Sequence, residues 1–157
     1  MNWLDVCDDK NLQDLPYKIE LNRHGQIVMS PTRNWHGYFA SKIAHLLREE
    51  MSGGETLVEC AIETADATKV ADAVWVSDDR FQIIKDQASC SIAPEICVEV
   101  ISPGNSNSEI ESKRALYLAA GATEVWICDQ KGNMRFFNKS AKMHRSKLCP
   151  DFPAKLR

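Results

Sequence analysis

At 157 residues, 44% hydrophobic and 26% charged, the chain reads as one soluble globular domain over residues 1–157, long enough to bury a core without staples. The absence of any apolar run of about 18 residues excludes a membrane-spanning helix, and the acidic start MNWLDVCDDKNLQDLPYK lacks the apolar stretch of a secretion signal. The net charge of −3 is not that of a general nucleic-acid binder, but it is unevenly spread. Residues 131–157 hold eight Lys and Arg against Asp151 alone, a charge of +7, which leaves −10 on residues 1–130. A basic segment beside an acidic body suits either phosphate contacts or a solvated edge hairpin.

In chain order, residues 17–29 (YKIELNRHGQIVM) predict two short strands turning around Asn22–Gly25, where the glycine tolerates positive φ. Residues 35–51 predict a core-facing helix, because Phe39, Ile43, Leu46 and Leu47 recur at helical spacing. Thr32 or Asn34 would cap it, and Gly53-Gly54 would end it. Strands follow at 56–63 and 71–77, the second closed by Asp78-Asp79. Residues 95–101 (EICVEVI) carry apolar side chains on both faces, as expected of a strand buried between layers, and Ser102-Pro103-Gly104 stops them.

A second helix is predicted over 108–120, capped by Ser108 with Glu111 or by Ser106, with Gly121 at its C′ position. A buried strand at 123–128 and a turn and strand at 131–138 complete the order. The order is hairpin, α, β, β, β, α, β, β, whose simplest layered solution is a mixed sheet flanked by helices. The six cysteines (Cys7, Cys60, Cys90, Cys97, Cys128, Cys149) form no metal-binding or C-x-x-C spacing. With Cys60, Cys97 and Cys128 inside apolar runs, they read as reduced core residues of a cytoplasmic protein.

Three residues stand out. Glu99 is a carboxylate inside an otherwise apolar strand, which is costly unless it pairs with a cation, binds a metal or faces a cleft. Asp72 opens a predicted strand between Ala71 and Ala73, so it either leaves room for a ligand or makes a turn bond. Lys113 lies on the helix launched by the Ser-Pro-Gly turn, one turn from Tyr117 on the same face, and would ordinarily be an exposed lysine. Two carboxylates from neighbouring strands with a lysine nearby make a coherent phosphodiesterase site. The carboxylates would hold Mg²⁺ (or Mn²⁺), and the lysine would assist the attacking water.

The strings PEICVEVISPGNSNSEIESKRALYLAAGATEVWICD, VADAVWVSDD and YKIELNRHGQIVMSPTRNWHGYFASKIAHLL together resemble the Uma2 family (DUF820). That family is abundant in cyanobacteria and belongs to the PD-(D/E)XK nuclease superfamily. The resemblance covers about residues 15–138, and it is the set of motifs, not any one of them, that is specific. It implies a restriction-endonuclease-like α/β fold and a metal-dependent endonuclease. Asp72 matches the Asp of "PD", with Ala71 in place of the proline, and Glu99 matches the acidic position. The lysine expected two residues later is Ile101, so Lys113 takes that role from the following helix. Glu20 matches a further acid that would also bind metal, and His36 matches a histidine that would line the cleft or cap the helix. The resemblance also implies nucleic acid, with DNA expected, as substrate. A homodimer is reasonable for a small sheet with exposed edges. The rival expectation is a catalytically weak nuclease-fold module that binds DNA or regulates, using residues 131–157.

Overall fold

The computed structural model describes residues 1–157. A short helix, α1 (Trp3–Asp8), and a 3₁₀ turn (Lys10–Leu12) precede a hairpin of β1 (Tyr17–Leu21) and β2 (Ile27–Pro31). Then come α2 (Asn34–Glu50), β3 (Glu55–Thr64), β4 (Ala67–Val76), α3 (Asp78–Ile84), β5 (Ile96–Val100), α4 (Asn107–Ala119), β6 (Glu124–Cys128), β7 (Met134–Phe137) and β8 (Lys142–Met143). Strands β3 to β8 form one six-stranded mixed sheet in sequence order, and the β1–β2 hairpin is a separate two-stranded sheet. All neighbours are antiparallel except β5 and β6, which run parallel. A parallel pair needs a crossover, and α4 supplies it.

The sheet divides two cores. On one face the α2 side chains Phe39, Ile43 and Leu47 pack on Ala73, Val98, Val100 and Trp126. On the other face Tyr117 and Ile110 of α4 pack with Val74, Cys97, Val125 and Ile127. Every residue of β5 and β6 is buried, because both faces of these strands are covered. The hairpin turns at Asn22–Gly25 as the sequence predicts, with Gly25 at φ +72°. Five of the six cysteines are buried and Cys7 is exposed, and all are free thiols.

Several expectations are corrected. Helix α2 is capped by Arg33 with no side-chain bond, not by Thr32 or Asn34, and Asn34 is already helical. Helix α4 uses the Ser106–Glu109 capping box, and its C-terminus closes through Gly121 N–H to Leu118 and Ala122 N–H to Tyr117. Asp78-Asp79 does not simply end a strand. Ser77 caps α3, and the two acids sit in its first turn, where the helix dipole favours them. Strand β4 begins at Ala67, not near 71, because Thr64 and Ala67 make a tight turn with Ala67 at φ +54°. Asp72 therefore lies mid-strand.

The basic segment 131–157 is more than a solvated edge hairpin. Cys149, Phe152 and Leu156 enter the α2-side core, and Phe152 stacks against Trp126 with ring centroids 4.6 Å apart.

Gly54 shows how close the packing is. It has φ +72°, and a Cβ there would lie 2.5 Å from the Trp75 indole, whose Nε1 donates to the Gly53 carbonyl at 3.1 Å. Gly54→Ala is expected to destabilise the chain by about 2 kcal/mol, from the left-handed backbone and the displaced indole together. Urea unfolding followed by tryptophan fluorescence measures it.

Candidate active site

The hairpin lies over the sheet where β4 leaves its neighbours. Pairing of β4 with β5 ends at Ala73↔Val98, and pairing with β3 skips the Glu59–Asp72 step, with Glu59 at φ +51°. The Val100 N–H has no ladder partner across this break and donates instead to Asp72 Oδ2 at 2.7 Å. The Asp72 carboxylate thus takes the place of a backbone acceptor, and the next step of β5 is Glu99. Alternation puts Lys18 and Glu20, two apart on β1, on one face of the hairpin. That face meets β4: Glu20 Oε2 accepts the Val70 N–H at 2.7 Å, and Lys69 Nζ donates to the Leu21 carbonyl at 3.2 Å.

The result is a buried network of alternating charge. Lys18 Nζ lies 2.9 Å from Asp72 Oδ1 and 3.4 Å from Glu99 Oε2. Lys113 Nζ lies 2.9 Å from Glu20 Oε2 and 3.4 Å from the same Glu99 oxygen. Tyr117 donates its O–H to Glu99 Oε1 at 2.6 Å, and His36 Nε2 lies 3.2 Å from Asp72 Oδ2. Asp72 and Glu99 are each only 3% exposed, so these partners are what make their burial tolerable.

The charges set the protonation. At Lys18 burial alone would lower the pKa, but Glu99, Asp72 and Glu20 outweigh it and hold the ammonium above the usual lysine range. At Asp72 burial would raise the carboxyl, yet Lys18 and His36 outweigh it and hold the group below the usual carboxylate range. At Glu99 burial prevails over Lys113 and Lys18 and pushes the carboxyl up. Burial, reinforced by Glu99 and Glu20, pushes the Tyr117 phenol well up, which keeps it a donor.

Two clefts reach the network. The larger, about 840 Å³, is lined mostly by polar and charged residues, Glu20, Arg33, Lys69, Ser102 and Lys113 among them. The second, about 610 Å³, is lined by Lys18, His36 and Asp72 with Tyr17 and Glu59. None of the basic residues of 131–157 lines either cleft.

The structure brings together Asp72, Glu99, Lys113, Glu20, His36 and Tyr117. Lys113 is not the exposed lysine of the simplest reading, and His36 faces a cleft. Lys18 was missed. Its signal was the spacing with Glu20 in YKIEL, which puts a cation and an anion on one face of one strand.

The Uma2 family model, described as "Putative restriction endonuclease", matches residues 9–142. The chain belongs to the Uma2 family. A crystal structure described as "a putative nuclease belonging to DUF820" from Anabaena variabilis ATCC 29413 superposes with a TM-score of 0.66. The superposition covers 80% of this chain and 74% of that one at 16% identity, so the two share the fold of a mixed sheet flanked by helices. No curated protein matches the chain. Uma2 membership and this shared fold bear out the family and the architecture expected from the sequence. No helix is long and apolar enough to cross a membrane.

Proposed function

We propose that this Uma2 chain is a divalent-metal-dependent endonuclease hydrolysing phosphodiester bonds in nucleic acid, with DNA the expected substrate. One observation carries the reading: Asp72 Oδ1 and Glu99 Oε2, from adjacent strands, converge on a single cationic position beside the second cleft. Hard carboxylate oxygens are the donors that Mg²⁺ or Mn²⁺ prefers, and two or three of them suffice when phosphate and water complete the shell. The donor chemistry therefore fits. No three His, Cys, Asp or Glu side chains stand close enough to form a site by themselves, because lysines separate Glu20, Asp72 and Glu99. Asp72 and Glu99 would hold the ion, with Glu20, which Lys113 bridges to Glu99, as the further acid. A bound ion would polarise the phosphate and acidify a water.

The chain's own groups prepare that chemistry. The Val100 N–H and His36 fix Asp72, and the Tyr117 hydroxyl fixes Glu99. Lys113 lines the larger cleft, and in this reading it would neutralise charge on a phosphate there and orient the attacking water. The single domain, the cytoplasmic setting and a homodimer belong to the same reading. The ten-residue edge strand β3, with Val58 exposed, supports the last of these.

Nicking of supercoiled plasmid tests it. Wild type with Mg²⁺ or Mn²⁺ is expected to nick, EDTA to abolish nicking, and Lys113→Ala to slow it at least about 100-fold. Nicking that persists through both EDTA and Lys113→Ala would overturn the proposal.

A second reading, a DNA-binding or regulatory module with little turnover, is favoured by the lysines that already satisfy the acids. It predicts plasmid binding without nicking under the same conditions.

A further inference from the structure

We propose that Lys18 is a built-in counter-ion that occupies the cation position between Asp72 and Glu99 and competes with a divalent metal for it. The inference rests on the reading that these two carboxylates hold the metal, and it adds that the unloaded site is closed by the chain itself.

Lysine is rarely buried unless it is paired. The Lys18 side chain is 10% exposed, and its Nζ bridges one oxygen of each acid. The other oxygens are already committed, Asp72 Oδ2 to Val100 and His36 and Glu99 Oε1 to Tyr117. An incoming cation must therefore use the oxygens that Lys18 holds. An ammonium and a divalent ion cannot share that point, so loading requires Lys18 to leave.

The two lysines differ in how easily they can do so. Lys113 is clamped to Glu20 at 2.9 Å and rises from the thirteen-residue helix α4. Lys18 rises from a five-residue strand of a hairpin that shares no backbone ladder with the main sheet and is held to it only through side chains. It also lines the second cleft, about 610 Å³, into which its flexible stem can swing. Loss of Lys18 would leave Asp72 with only His36 and Glu99 with only Lys113, which Glu20 already shares, a shortage of positive charge that a divalent ion repairs. Removing the lysine should therefore strengthen metal binding, and it should make the fold depend on metal.

Isothermal titration of Mn²⁺ into the full chain tests this, with wild type, Lys18→Met and Asp72→Asn compared. Thermal melts with and without Mn²⁺ accompany each. Lys18→Met is expected to bind Mn²⁺ at least about 10-fold more tightly than wild type and to show the larger Mn²⁺-dependent rise in Tm. Asp72→Asn is expected to lose binding. If wild type binds Mn²⁺ through Asp72 but Lys18→Met binds equally or more weakly, the counter-ion role is wrong and the metal reading stands. If neither wild type nor Lys18→Met binds Mn²⁺, the metal reading fails and takes the counter-ion with it. Should Lys18→Met not fold even with Mn²⁺, Lys18→Gln, which keeps a donor toward Asp72, carries the same comparison.

Discussion

Replacing Glu124 with alanine is expected to destabilise the chain by about 4 kcal/mol, enough to lower Tm by roughly 10 °C. Glu124 is 1% exposed and has no cationic partner. It is held by four donors instead: Trp126 Nε1 at 2.8 Å, Ser146 Oγ at 2.6 Å, and the Lys147 and Leu148 N–H groups at 2.8 and 3.0 Å. These bonds tie the C-terminal segment to β6. Ser146 Oγ in turn accepts the Cys149 N–H at 2.9 Å, next to the residues that complete the α2-side core. Alanine strands all four donors in a dry environment, at about 1–3 kcal/mol for each one that finds no water. Glu124→Gln should cost about half as much, because its carbonyl can serve only some of them and its amide faces the rest. Urea unfolding measures both, and near-ultraviolet circular dichroism should report the loosening of Trp126. A loss below about 1 kcal/mol for alanine would mean that water replaces the carboxylate, contrary to this account.

How much of this was legible in the sequence depended on whether a residue's partner lay nearby in the chain. Helix α4 was legible because its apolar face and Gly121 are local signals, and its cap, Ser106, was one of the two candidates. Strand β5 was legible because ICVEV is apolar on both faces, and that context made Glu99 conspicuous. The start of β4 was not. Its turn uses Ala65-Asp66 with Ala67 at φ +54° and contains no glycine, so nothing local marks it. The cap of α2 was misread for a related reason: Thr32 and Asn34 are good capping residues, but the chain enters the helix at Arg33.

Lys18 was only faintly legible, for a different reason. Its partners are 54 and 81 residues away, and only the docking of the hairpin on β4 brings them together. Beyond its two-residue spacing from Glu20, nothing in the short strand marks it as buried. The basic segment shows the reverse limit, since charge counted along the chain left a phosphate surface and a solvated edge hairpin both open. In space, the segment's apolar residues decide its place and its cations stand away from both clefts.

Asp72→Asn separates the catalytic from the structural account of the network most sharply. Nicking is expected to fall at least about 1000-fold, close to 4 kcal/mol of barrier, because the amide removes an anionic donor from the proposed metal position. The fold should survive. The asparagine oxygen can still accept the Val100 N–H, and Lys18 keeps Glu99 at 3.4 Å. Removing one member of a buried pair has a cost, so Tm should fall by several degrees without loss of the cooperative transition. If Asp72 served only to bridge β4 and β5, the variant would lose stability while its folded fraction nicked plasmid at the wild-type rate. Single-turnover nicking at a temperature well below both melts distinguishes the two, since it reads only folded protein. A rate within about 10-fold of wild type there would place the hydrolytic site elsewhere on the chain. Nicking that recovers partly in Mn²⁺ but not in Mg²⁺ would instead support the assignment, because the softer ion accepts an amide oxygen more readily than the harder one.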